Sequence, residues 1–201
     1  MRKLTLLTGA ELAKTDLRDD EGKTVFTIQE LHWFRKNAYN LGITSSPTWH
    51  LTHTIRILTA CLAFIACYPP DIPLADATEN ALMAMRCHFV VATALVSMAR
   101  TEDAVDVQLQ RYTEMKQHIT AFDETLQIEA EAQSGRVIQD LIGKAAALFV
   151  FGFEGAIALR QWNELGEIVR KAKTCCDETV YKAMGDCLLR SRAPGKSECS
   201  I

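Results

Sequence analysis

Apolar residues recur every three to four positions through stretches of more than 15 residues that hold neither glycine nor proline. That period buries one face of a helix, whereas a half-buried strand alternates with period two. Ten glycines and five prolines in 201 residues are also fewer turn formers than a chain of many short strands uses. The pattern predicts an all-α fold. Apolar residues make up 48% of the chain, enough to bury a sizeable core and to exclude wholesale disorder.

Start and stop signals divide the chain. Residues 1–23 carry a weak helical pattern and then an acidic, glycine-containing loop at Asp16–Gly22. Thr27-x-x-Glu30 has the form of a capping box and opens a helix with the stripe Ile28, Leu31, Phe34, Ala38 and Leu41. Gly42 falls where a left-handed residue would end it. Ser46-Pro47 reads as the next start, a hydroxyl N-cap followed by proline at the first helical position. That helix runs to about Cys67, before Pro69-Pro70. It carries two stripes, Leu51–Ile55–Leu58–Leu62–Ile65 and Ile57–Cys61–Phe64–Tyr68, and so should touch two neighbours.

Asp76-x-x-Glu79 opens a third helix that ends near Arg100. It is apolar nearly all round from Ala81 to Ala99 and is expected to be central. Thr101 is placed as the cap of a fourth, with one stripe: Val105, Leu109, Tyr112, Met115, Ile119, Phe122 and Leu126. Gly135 interrupts, and a fifth helix covers about Val137–Leu159. Gly143, Gly152 and Gly155 lie inside it, each costing about 1 kcal/mol against alanine. They are expected to make room for a neighbour's bulky side chains. A sixth helix ends near Lys173, and Asp177 caps a seventh that reaches about Leu189. Residues 191–201 should form a mobile tail.

About seven helices thus fill a module at 24–190. Short connections make consecutive helices antiparallel neighbours, and wide or double apolar faces suit layers with neighbours on both sides. Trp162, Leu165, Val169 and Ala172 match the spacing of the second helix of a tetratricopeptide repeat. The expected architecture is a set of antiparallel helix pairs stacked as a tetratricopeptide-like solenoid.

Charge and motif content narrow the function. A net charge of −3 with acids and bases mixed argues against a nucleic-acid grip built on a basic surface. The charge-free apolar run Ile57–Tyr68 is too short to cross a bilayer, and the longer Ala81–Ala99 carries Arg86 and His88. No secretory signal precedes the first helix. Seven cysteines without C-x-x-C spacing read as reduced thiols of a soluble intracellular protein. No phosphate loop, dinucleotide fingerprint, nucleophile elbow or H-E-x-x-H is present, so no cofactor, metal or catalytic residue is expected.

Weaker patterns have bland readings. His50 and His53 share a helix face without a carboxylate and read as surface histidines at a helix start. Cys175, Cys176 and Cys187 read as thiols packed at an interhelical turn. Asp123, Glu124, Glu129 and Glu131 read as a solvated face, while Arg86 and His88, within an apolar helix, each need a partner. The rival to a non-catalytic scaffold is a small-molecule site or thiol enzyme on a helical bundle. Such a site should bring at least two polar groups with shifted pKa into one pocket.

The stretch Trp33-Phe34-x-x-Asn37-Ala38-Tyr39-Asn40-Leu41 places Phe34, Ala38 and Leu41 on the core stripe and Trp33, Asn37 and Asn40 on an adjacent face. Its asparagines are expected to bond a neighbouring helix or a loop carbonyl. Trp33, Phe34, Asn37, Tyr39, Asn40 and Trp162 are the candidates for packing or partner binding. With the later Phe64-Ile65-x-x-Tyr68-Pro69, Trp162-Asn163-Glu164-Leu165 and Met184-x-Asp186-x-Leu188-Leu189, the stretch resembles the fungal meiotic sporulation family. These are the "zipping" tetratricopeptide proteins, with relatives in plants and animals. The resemblance covers roughly residues 24–190. It implies a non-enzymatic helical-repeat scaffold in the nucleus, on chromosomes, that gathers synaptonemal-complex and crossover proteins, with no direct nucleic-acid or membrane contact. Family members are several times longer, so the resemblance also implies a fragment or a reduced relative.

Overall fold

The structure is a computed structural model that describes residues 26–129, 135–173 and 176–192. The expectations for residues 1–23, and for the tail beyond residue 192, lie outside them. Seven α-helices and no strand occur among the described residues: α1 Ile28–Ser45, α2 Leu51–Ala66, α3 Leu74–Arg100, α4 Val105–Glu129, α5 Arg136–Ala158, α6 Leu165–Ala172 and α7 Glu178–Arg192. A 3-10 turn, Trp162–Glu164, leads into α6.

Each helix packs on the next in the chain through the first five, most extensively α3 on α4. His32, Phe34 and Gly42 of α1 meet Tyr68, Phe64 and Leu58 at progressively earlier positions along the following segment, so α1 and α2 are antiparallel. Met115 and Ile119 of α4 likewise meet Gly155 and Gly152 of α5. Beyond the sequential contacts, α5 packs on α6 and α7, and α3 touches α5. This is an all-α helical-repeat arrangement. One buried cluster runs through α1–α5. A smaller one joins Phe153 and Ile157 of α5 to Ala172, Met184 and Cys187.

Helices α3 and α5 are each long and apolar enough to cross a membrane, by length and composition. The sequence reading weighed only the first. In the fold they have the most neighbours: α3 packs on α2, α4 and α5, and α5 on α3, α4, α6 and α7.

Several local signals act as read. Thr27 and Glu30 form the reciprocal capping box, Gly135 has φ +64° before α5, and the Asp177 Oδ1 accepts from the Thr179 and Val180 N–H groups. Others do not. Ser46 closes α1 instead of opening α2; its hydroxyl donates back to the Ile43 carbonyl at 3.2 Å. His50 is the N-cap of α2, with Nδ1 accepting from the Thr52 N–H. Thr101 closes α3, its hydroxyl donating to the carbonyls of Ser97 and Met98.

Gly42 is not a left-handed stop. It lies inside α1, buried, facing Ile57 and Leu58 of α2. A Cβ there would stand 2.8 Å from Leu58 Cγ and 3.1 Å from Ile57 Cγ2, and both side chains are fully buried. Gly42→Ala should therefore cost about 2 kcal/mol by overpacking, despite the helix propensity it gains. Gly143→Ala meets nothing within 4 Å and should gain about 0.5–1 kcal/mol. Urea unfolding midpoints of the two variants should move in opposite directions, and equal shifts would refute the account of Gly42. Within α5, Gly155 makes the expected room, with Met115 Cε 2.7 Å from its would-be Cβ, whereas Gly143 does not.

Candidate functional site

Arg35 follows Leu31 by one turn and is buried with it. Its guanidinium donates to Asn80 Oδ1 and, at 2.7 Å, to Glu79 Oε2 on α3. It also meets His32 Nδ1 at 3.2 Å, lies 5.6 Å from the Tyr68 ring, and leaves its Nε without a partner. Because the guanidinium can only donate, His32 Nδ1 must accept; the Tyr68 hydroxyl reaches the same nitrogen at 3.1 Å. Burial pushes the Tyr68 phenol above its ordinary value. The bonds from Arg35 to Glu79 and Asn80 tie α1 to α3.

His88 on α3 finds its partner in His118 on α4, Nδ1 to Nδ1 at 2.8 Å. One ring must carry its proton on Nδ1 and the other must present a bare nitrogen. Burial, then the neighbouring His118, pushes His88 down to about 4. Burial also lowers His118, against the pull of Glu114. Arg86, half-buried, has no hydrogen-bond or ion-pair partner among the described residues. No group of three or more metal-ligating side chains occurs among the described residues.

Glu154 on α5 joins four helices. Arg100 of α3 grips it with two nitrogens, at 2.9 and 2.5 Å, and the Tyr112 hydroxyl of α4 donates at 2.9 Å. Cys187 of α7 lies 3.9 Å away. Burial pushes the Glu154 carboxyl up, but the bonds from Arg100 and Tyr112 outweigh it and hold the group below its ordinary range. Tyr112 is raised by burial and by Glu154. Cys187 is raised by burial and then by Glu154, and Cys87 by its hydrogen bond with Cys61 and by burial. Raised thiols disfavour the thiolate that a nucleophile needs. Cys175 lies outside the described residues.

A groove of about 420 Å³ opens between α4 and α6, with α5 as its floor. Ile119, Leu148, Phe149, Gly152 and Ile168 supply apolar surface. Two ion pairs frame it: Lys116 with Glu164 at 2.6 Å and Asp123 with Lys171 at 2.9 Å. Both join residues 48 apart in sequence, so α4 and the segment leading through α6 run parallel. Seven residues separate the pairs, which sets them about 10 Å apart along the helices at 1.5 Å per residue. Trp162, half-exposed at 56%, sits on the 3-10 turn two residues before Glu164. None of Arg100, Tyr112, Glu154 and Cys187 lines this groove; these groups with shifted pKa engage one another elsewhere.

The sequence candidates fall apart spatially. Phe34 stacks on Phe64 at 4.9 Å, with Phe26 edge-on, and Tyr39 packs against the core. Trp33 is half-exposed at 49%, and Asn40 is exposed. Asn37 bonds the carbonyl of Trp33 in its own helix at 2.7 Å, not a neighbouring helix, because that carbonyl lies one turn back and within reach. Trp162 precedes α6 instead of lying within it, so it cannot act as the buried aromatic of a repeat's second helix. Asp123, on the polar face of α4, pairs with Lys171 at the surface. No family model matches the chain, and no curated protein or solved structure is significantly similar to it.

Proposed function

We propose that the chain is a non-catalytic helical-repeat scaffold that binds other proteins, and that the groove between α4 and α6 is where a partner segment docks. The observation that carries this is the groove's make-up: an apolar floor, a charged rim and a half-exposed tryptophan beside one end. Interfaces place apolar and aromatic anchors at the centre and charge at the edge. The proposed setting, meiotic chromosomes in the nucleus, rests on the family resemblance over residues 24–190, whose most specific stretch is Trp33–Leu41.

The test is affinity purification from meiotic cells with the wild-type chain and with Thr120→Trp. Thr120 is an exposed groove residue, so the larger ring blocks the groove without disturbing the core. Chromosome-axis or synapsis proteins should be recovered with wild type and depleted with the variant. The same proteins at equal yield with both would move the docking site elsewhere, and their absence from both would remove the meiotic setting.

A further inference from the structure

The charged residues lining the groove are two lysines and four carboxylates: Lys116 and Lys171 against Asp123, Glu124, Glu164 and Glu167. Both lysines are already matched across the groove, by Glu164 and Asp123. Glu124 and Glu167 remain. Glu124 is exposed and stands just beyond the Asp123 pair on α4. Glu167 lies on the α6 wall, where Arg170 grips it with two nitrogens in a solvent-facing i,i+3 pair and Lys171 adds its attraction. Water screens this exposed pair, so a cation better placed in the groove can take Arg170's place at Glu167.

The spacing of the framing pairs limits what fits. About 10 Å of floor lies between them, enough for two apolar side chains one helical turn, about 6 Å, apart. It is too short for a longer run of anchors. A volume of about 420 Å³ suits two such side chains, because it lies toward the small end of the range of about 300–1,000 Å³ that ligand pockets span.

Resting on the scaffold reading above, we infer that the groove takes a basic amphipathic helix from a partner protein. Two apolar anchors, one turn apart, enter between the Lys116–Glu164 and Asp123–Lys171 pairs, and lysine or arginine side chains beside them meet Glu124 and Glu167. An acidic partner would face a lining with more carboxylates than lysines, and like charges at close range weaken binding and slow encounter.

The experiment uses the full chain and a fluorescein-labelled, amidated 16-residue helical peptide with leucines at i and i+4 flanked by lysines. Its counterpart has glutamate for every lysine. In fluorescence anisotropy at 0.1 M salt, the lysine peptide should bind at least tenfold more tightly than the glutamate peptide. Thr120→Trp should weaken it at least tenfold, and Glu124→Lys with Glu167→Lys should shrink the preference below threefold. Equal or tighter binding of the glutamate peptide, still blocked by Thr120→Trp, overturns the charge assignment and leaves the docking groove intact. Failure of both peptides to bind overturns the basic-helix inference. If, in addition, the affinity purification recovers no protein that Thr120→Trp depletes, the scaffold reading of the groove falls with it.

Discussion

Arg35→Ala is expected to cost about 3 kcal/mol of folding stability. Removing one member of a buried ion pair costs about 3–5 kcal/mol where both charges are enclosed. Here Glu79 is half-exposed, at 55% of its side chain, and regains water when the guanidinium goes. Asn80, 6% exposed, cannot, and its Oδ1 is left facing an emptied site. Leaving such a group without a donor costs about 1–3 kcal/mol, and the lost packing adds to it. Urea unfolding measures the total. If the pieces act as one network, Arg35→Ala combined with Asn80→Ala should lose less than the sum of the single changes. A loss below about 1 kcal/mol for Arg35→Ala would mean that water replaces the guanidinium, and that α1 is not held to α3 through it.

The histidine pair predicts a pH dependence of nearly the same size. In the folded chain His88 titrates at about 4 against an ordinary value of 6.5. The folded value is depressed, so the unfolded chain binds the extra proton first. Stability is therefore complete above about pH 6.5 and falls as pH drops toward 4. Between pH 7 and pH 5 the loss from His88 alone should be about 2 kcal/mol, at about 1.4 kcal/mol per pH unit below 6.5. His118 is lowered too and adds in the same direction. Glu154, whose carboxyl is also depressed, loses its contribution below the carboxylate range and leaves this window to the histidines. His88→Leu should flatten the profile between pH 7 and pH 5, even if it shifts the baseline. An unchanged slope would place the titration elsewhere.

Helix number and order were legible because the apolar period persists through each element. Local signals were less secure. The hydroxyls of Ser46 and Thr101 stand where either end of a helix could use them, to accept from an N-terminal N–H or to donate to a C-terminal carbonyl. Both donate backward, so two starts were displaced by several residues. Gly42 could end a helix or admit a neighbour, and only the position of Leu58 decides. Arg35 was hidden because a single charge on an apolar stripe looks like its edge; its partners Glu79 and Asn80 lie 44 and 45 residues away. The groove was illegible for the same reason. Lys116 and Asp123 look like ordinary surface charges on α4, as do Glu164 just before α6 and Lys171 within it. Their matched spacing acquires meaning only once those segments are known to run side by side.

The two buried clusters meet beneath the groove. Ile119 and Leu148 belong with the larger one and Ile168 with the smaller, while Phe149 touches both. Units that share few contacts tend to open separately, the smaller at lower free energy. Transient release of the carboxy-terminal helices would then dismantle one wall of the cleft and leave the remainder folded. Occupancy by a guest would hold the two units together, so affinity and local rigidity would rise or fall as one quantity.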